Sequence, residues 1–108
     1  MAIHVSHFLI QHQNLAQAAR CLHHPTQDLT ATLAEHGITP RYDAAGNIID
    51  LSFCAGALNQ YRTWLLLEQL SPVVADGGRI QNDAVSQLTY AHGEAYYQDL
   101  TLPDPSHA

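Results

Sequence analysis

Apolar and polar residues alternate at the start of the chain, and this two-residue period predicts a β-strand over residues 2–10. One parity carries the better core candidates, which are Ile3, Val5 and Leu9. The residues of the other parity lie on the opposite face and are His4, Ser6 and Phe8. We therefore expect one face of this strand to pack against the core while the other stays open.

Two short helices are predicted next. The first has apolar residues at the helical spacing i, i+3, i+4 and i+7, which are Leu15, Ala18, Ala19 and Leu22. Asn14 is its predicted N-cap, and Gln17 stands where a capping box needs it. The His23-His24-Pro25 step ends this helix, and Pro25 suits the first turn of a second one, which ends at Gly37.

Two β-hairpins are predicted from alternating segments separated by turn residues. The first joins residues 38–42 to residues 47–53 through a turn at 43–46, where Gly46 supplies a positive φ. In its second strand the predicted core side consists of Ile49, Leu51 and Phe53. A short strand over residues 79–81 precedes the second hairpin, which joins residues 87–90 to residues 95–102.

The segment from Leu58 to Leu70 is predicted to form the longest helix. We assign to the core one stripe of its helical wheel, made of Leu58, Tyr61 and Leu65. Leu66, Leu67 and Leu70 point to the opposite side, and Trp64 to a third. Because a small domain has little with which to cover both stripes, we expect Trp64 or the Leu67–Leu70 pair to be exposed. In the alternative interpretation, the C-terminal hairpin folds over this helix and covers it.

The order of elements is β, α, α, β, β, α, β, β, β, which predicts an α+β protein. Its first part matches the split βαβ pattern of ferredoxin-like folds. The expected architecture is an antiparallel sheet with helices on one face, made of a ferredoxin-like βαββαβ core plus a C-terminal β-hairpin. We expect a single domain over residues 1–102 and a C-terminal tail over residues 103–108, since no linker or repeat divides the chain.

Two stretches of the chain carry a resemblance. Residues 43–53 read D-A-A-G-N-I-I-D-L-S-F, and residues 67–80 read L-E-Q-L-S-P-V-V-A-D-G-G-R-I. Together they resemble a group of small domains from bacteria and their phages, in which a D-x-x-G-N-I-x-x-L-x-F hairpin and a leucine-rich helix lead into P-x-V-x-x-G-x-x-I. The resemblance covers about residues 38–80. It implies an α+β fold and an origin in a mobile element, and it transfers no catalytic residue.

Composition and charge limit the classes of protein and partner. With 46 % hydrophobic and 13 % charged residues, the chain is unlike a disordered protein. It has four arginines, no lysine and ten acidic residues, so its formal net charge is −6. Because nucleic acids and anionic membranes bind clustered cations, we expect direct binding to neither. A protein partner with a basic surface is compatible with this charge.

Neither a membrane span nor a signal peptide is predicted. No apolar run approaches the roughly 18 residues that a membrane-spanning helix needs. No basic segment followed by an apolar one opens the chain, as it would in a signal peptide. We therefore expect a cytoplasmic protein.

Eight histidines and two cysteines raise the question of a metal site. Zinc needs three or four converging ligands, but His4 and His7 have opposite parity on the predicted strand, and the adjacent His23 and His24 diverge. We therefore predict no metal and no other cofactor. The two cysteines, Cys21 and Cys54, lie among apolar residues and are interpreted as buried thiols, with a disulfide between them as the alternative.

No set of residues is typical of a catalytic site, and we predict that the protein is not an enzyme. Asp43 and Asp50 flank a predicted turn, which is the ordinary position for aspartate. Neither cysteine has a histidine at a spacing that would make it a nucleophile. The enzyme alternative is a cleft on an open sheet face, built from His4, Asp50 and Tyr97.

The remaining candidate site is a protein interface. Its predicted residues combine apolar, aromatic and acidic side chains and are Phe8, Asp43, Asp50, Trp64, Leu67, Leu70, Tyr97 and Asp99. The leading hypothesis is a small acidic protein that binds and inhibits a protein partner, most concretely an anti-CRISPR-type inhibitor. An immunity protein that neutralises a bacterial toxin is the alternative, and a homodimer is also compatible.

Overall fold

The computed structural model describes residues 3–22, 28–83 and 85–101. Its strands are β1 (Ile3–Ser6), β2 (Ile38–Tyr42), β3 (Ile48–Phe53), β4 (Arg79–Asn82), β5 (Ser86–Ala91) and β6 (Glu94–Asp99). Its α-helices are α1 (Leu15–Cys21), α2 (Leu29–Glu35) and α3 (Tyr61–Gln69). The predicted α+β class is confirmed, whereas the predicted helix start at Pro25 and the His23-His24 pair lie outside the described residues.

The strands form two antiparallel sheets. One has four strands in the order β1-β4-β5-β6, and the other is the β2–β3 hairpin. This order differs from that of a simple ferredoxin-like fold, in which the strands of the core share one sheet. Ile10 joins the two parts, because its N–H donates to the Ile48 carbonyl at 3.0 Å and its carbonyl accepts the Ile48 N–H at 2.9 Å.

Strand β1 is shorter than predicted, and the parity of the chain changes after it. His7 has a φ of 53°, in the left-handed region, and this ends the extended run at Ser6. Phe8 and Ile10 then turn inward and are buried, whereas Val5 is only half-buried. The predicted placement of Phe8 on the open face is therefore wrong.

The β2–β3 hairpin forms over the predicted segments, but one residue of β3 changes the face that is buried. Arg41 pairs with Asp50 while Tyr42 pairs with Ile48, so Ile49 is an extra residue and forms a β-bulge. Ile48 is completely buried, and Ile49 is half-buried. The predicted core position of Ile49 thus belongs to Ile48.

Helix α3 buries the face opposite to the predicted one. Leu58 lies in a 3₁₀ turn, and the extended backbone of Gln60 separates that turn from the helix, so Leu58 does not share the helical phase. Tyr61 is 79 % exposed and Leu65 is 40 % exposed. The predicted core stripe is therefore wrong for these two residues. The buried residues of the helix and its C-cap are Thr63, Trp64, Leu66, Leu67 and Leu70.

The C-terminal hairpin covers the helix. The Trp64 indole packs edge-on against the Tyr97 ring with centroids 5.3 Å apart, and its N–H donates to the Leu58 carbonyl at 2.7 Å. The Tyr90 hydroxyl donates to the Leu67 carbonyl at 2.7 Å. The expected exposure of Trp64 or the Leu67–Leu70 pair is wrong, and the alternative interpretation of a covering hairpin is correct.

One hydrophobic core links both sheets and the helices. Its completely buried members include Leu33 of α2, Ile38 of β2, Ile48 of β3, Leu67 of α3 and Leu88 of β5. The two sheets therefore belong to one packed unit, although they share no strand. None of the described helices is long and apolar enough to cross a membrane.

Candidate functional site

Four of the predicted interface residues are part of the core. Phe8, Trp64, Leu67 and Leu70 each expose less than a tenth of their surface. Phe8 packs edge-on against Tyr90, with ring centroids 5.9 Å apart. A buried side chain contributes almost no contact area to a partner, so these four residues are excluded from the candidate interface.

Asp43 organises the turn of the β2–β3 hairpin. Its carboxylate accepts the backbone N–H groups of Ala45 and Asn47, each at 2.9 Å, and the Asn47 side-chain amide donates to it at 3.0 Å. These bonds, the Asn47 amide foremost, hold the pKa of Asp43 below its ordinary value. Asp43 and Asn47 of the D-x-x-G-N pattern therefore shape a loop, and Asp43 is not placed for acid–base chemistry.

Asp50 lies at a cleft between the two sheets. The cleft has a volume of about 500 Å³ and is lined by residues 3–5 of β1 and residues 50–53 of β3. His4 and Asp50 of the predicted catalytic cleft both line it, whereas Tyr97 lies on β6, at the edge of the four-stranded sheet opposite to β1 and His4. The Asp50 carboxylate accepts the Leu51 N–H at 2.8 Å and lies 3.8 Å from the Arg41 guanidinium, so its contacts are structural.

Exposed aromatic and apolar side chains gather where α3 meets β6. Six large hydrophobic side chains are exposed among the described residues, and four of them are on these two elements: Tyr61, Leu65, Tyr96 and Tyr97. Tyr97 is 48 % exposed although it packs on Trp64, and Tyr61 and Leu65 flank Trp64 along the helix. Tyr96 lies on the opposite face of β6 from Tyr97, so we call Tyr61, Leu65 and Tyr97 the α3–β6 surface.

Carboxylates mark both ends of β6. The Tyr96 hydroxyl donates to Glu94 at 2.7 Å, and this bond and the Glu94 charge raise the pKa of Tyr96. Thr101 donates to Asp99 through its hydroxyl at 2.6 Å and its N–H at 2.9 Å, and these bonds lower the pKa of Asp99. None of the six residues of β6 is cationic. The strand therefore presents aromatic side chains between two acidic groups.

Tyr97 and Asp99 of this region are among the predicted interface residues, whereas Tyr61, Leu65 and Tyr96 are not. The spacing of Tyr61 and Leu65 predicts a buried stripe instead. A signal against that choice existed, since Arg62 and Gln69 lie close to Leu65 on the helical wheel. Polar neighbours on the wheel indicate a solvent-facing side.

Within residues 3–22, 28–83 and 85–101, no three His, Cys, Asp or Glu side chains come together as a metal-binding group. Both cysteines are free thiols. Cys21 is half-buried and Cys54 is exposed, so the predicted burial of Cys54 is wrong. Neither cysteine lies on the α3–β6 surface.

Comparison of the chain with protein-family models, with curated protein sequences and with solved structures finds no match.

Proposed function

We propose that this protein binds a protein partner through the α3–β6 surface and inhibits that partner by covering it. The observation that carries the proposal is the clustering of three exposed aromatic and apolar side chains, Tyr61, Leu65 and Tyr97, on two adjoining elements. Aromatic side chains dominate the binding energy of interfaces, because they bury a large area with few rotatable bonds. An exposed apolar patch with a polar rim is typical of an interaction site.

The partner has a basic surface. The chain carries a net charge of −6, and Glu94 and Asp99 lie at the ends of β6. Opposite charges steer partners together and set their orientation. Proteins that bind nucleic acids offer such basic surfaces, and an acidic protein that covers one blocks access to it.

The most concrete form of the proposal is an anti-CRISPR-type inhibitor from a phage or mobile element, acting in the cytoplasm. The resemblance of residues 38–80 to small domains of bacteria and their phages supports this form. An immunity protein that neutralises a bacterial toxin would use the same surface in the same way. The identity of the captured partner separates the two.

The proposal is tested by capture from bacteria that express a CRISPR effector or a toxin. The wild type should retain a partner that mass spectrometry identifies, and the double variant Tyr61→Ser/Leu65→Glu should retain at least about tenfold less. Tyr42→Ser is the matched control, because Tyr42 of β2 is as exposed as Leu65 and lies outside the surface. Circular dichroism verifies that all three proteins fold. Equal capture by wild type and double variant, or no partner at all, contradicts the proposal.

A small enzyme is the second candidate function, and the cleft between β1 and β3 favours it. His4 and Asp50 line this cleft, and a cavity of about 500 Å³ admits a small ligand. Its discriminating test is the double variant His4→Ala/Asp50→Ala in the same biological assay. Loss of function with partner capture retained would support the enzyme and contradict inhibition by covering.

A further inference from the structure

Strand β6 is an edge that can accept another strand. It pairs with β5 in a continuous register from Ser86–Asp99 to Ala91–Glu94, and among the described residues no strand pairs with its other side. It contains no proline and no bulge. Natural edges that are closed to other strands usually have one of these features or charged side chains, and β6 is charged only at its two ends, at Glu94 and Asp99.

The backbone groups that β6 directs outward follow from the hydrogen bonds of β5. The Gly77 N–H donates to the Tyr90 carbonyl at 2.8 Å, and the Tyr90 N–H donates to the Gly78 carbonyl at 2.9 Å. Since the backbone groups of Tyr90 point away from β6, those of its partner Ala95 point away from β5. By alternation, Tyr97 and Asp99 do the same, so three residues offer both a donor and an acceptor at the edge.

We infer that β6 recognises its partner by strand addition, and that the partner segment is extended and cationic. This inference rests on the proposed function and specifies how the surface binds. An added antiparallel strand would lie beside Tyr97 and Trp64 on the helix side of the sheet and beside Tyr96 on the other. Main-chain hydrogen bonds supply affinity, and the alternating side chains supply specificity.

Charge selects such a segment over a second copy of this chain. Pairing two copies through β6 would bring four carboxylates to one interface, with no cation on either strand. A cationic segment instead neutralises Glu94 and Asp99. Because these two residues are five positions apart, the antiparallel partner has the pattern cation-x-apolar-x-x-cation, with the apolar residue opposite Tyr97.

A synthetic peptide with lysine at positions 1 and 6 and leucine at position 3 is the probe. Amide hydrogen exchange of the full chain is followed by NMR. At a peptide concentration of about ten times the Kd, the amides of Ala95, Tyr97 and Asp99 should exchange about tenfold more slowly. Methylation of the peptide nitrogens at positions 3 and 5 removes donors to β6 and should abolish this protection. Methylation at positions 2 and 4, which face away, is the matched control and should preserve it.

Protection that survives methylation at positions 3 and 5, or no protection by any peptide, overturns strand addition. Protection that rises with protein concentration without peptide overturns the cationic segment in favour of a second copy. These failures differ from failure of the proposed function. If the Tyr61→Ser/Leu65→Glu variant still loses its partner while the peptide protects nothing, the surface binds in another way. If that variant keeps its partner, the surface itself is wrong.

Discussion

The two β-hairpins pair in the same antiparallel way but differ in how their outer strands are protected. The outer strand of the β2–β3 hairpin contains Pro40, faces a bulge at Ile49, and is tied to α2 by a 2.6 Å hydrogen bond between the hydroxyls of Thr30 and Tyr42. The outer strand of the β5–β6 hairpin has an unbroken register, and it contacts α3 through the packing of Tyr97 on Trp64. The β2–β3 hairpin therefore has a protected outer strand, whereas the β5–β6 hairpin has an outer strand whose edge is available to a partner.

The turns of the two hairpins are built in different ways. The first depends on Asp43 and on His12, whose ring lies against Gly46. The second is the two-residue turn His92-Gly93, where both residues have positive φ, as in a type I′ turn. Each turn is also contacted by another part of the chain: the His12 N–H donates to the Asn47 side chain at 2.8 Å in the first, and the His92 N–H donates to the Asp76 carboxylate at 2.7 Å in the second.

The largest expected difference between the hairpins is in their contribution to the core. Ile48→Ala should lower the free energy of unfolding by about 2–5 kcal/mol, because Ile48 is completely buried and its truncation leaves a cavity in the core. Tyr96→Ala, on half-exposed β6, should cost less than about 1 kcal/mol. Urea denaturation of the two variants measures both values. Equal losses would mean that the β6 edge is as structural as β3.

A smaller difference is expected at the turn glycines. Gly46 and Gly93 have φ values of 85° and 76°, so alanine at either position is strained by about 1–2 kcal/mol. At Gly46 the added Cβ would also lie 2.8 Å from the His12 ring, whereas at Gly93 nothing lies within 4 Å. Gly46→Ala should therefore be the more destabilising.

The pair of glycine variants has an internal control in His12. Placing His12→Ala in the Gly46→Ala background removes the close contact and should recover the excess loss, leaving the strain common to both turns. Denaturation midpoints of the four proteins complete this cycle. No recovery in the double variant would show that the excess loss at Gly46 does not come from contact with the His12 ring.

A third prediction compares how much two tyrosine hydroxyls of the second hairpin contribute to stability, one buried on its inner strand and one on its edge strand. Tyr90→Phe should cost about 1 kcal/mol, because its buried hydroxyl donates to the Leu67 carbonyl at the end of α3. Tyr97→Phe, on the exposed edge, should change stability by only a few tenths of that amount. Both values come from chemical denaturation. An equal effect of the two changes would contradict the division of this hairpin into a core strand and a free edge.

Sequence periodicity predicts the positions of the helices and strands far better than it predicts which face of each one is buried. Both hairpins, the strand at residues 79–82 and the helices on either side appear near their predicted positions. The faces were misassigned where a single residue changes the phase: His7 by its positive φ, Ile49 by a bulge, and Gln60 by an extended backbone. Each acts through its dihedral angles or pairing, and a hydrophobicity pattern carries no information on either.

The candidate surface was predictable only in part for the same reason. Tyr97 is among the predicted interface residues because the sequence places it on the sheet face opposite the helices, whereas it packs on Trp64 of α3. Tyr61 and Leu65 required the correct phase of α3, which depends on the break at Gln60. The coverage of Trp64 by Tyr97 depends on a contact between distant parts of the chain, which local periodicity does not encode.

The smallest expected effect concerns acid pH and tests whether the first turn depends on an ionised Asp43. Its pKa in the folded protein is lowered by the Asn47 side-chain amide and by backbone N–H groups, so the carboxylate stabilises the fold above its ordinary pKa of about 4, and this stabilisation is lost as the pH falls through the folded value. Asp43→Asn should therefore lower the thermal midpoint at pH 7, and the difference in midpoint from wild type should narrow as the pH falls below about 4.

The matched variant in the second hairpin is Asp99→Asn, because the pKa of Asp99 is lowered by Thr101. Because Asp99 ends β6 and holds only the residue two positions on, its substitution should affect the midpoint less than that of Asp43. A gap between wild type and Asp43→Asn that stays constant from pH 7 to pH 3 would show that the first turn does not depend on the charge.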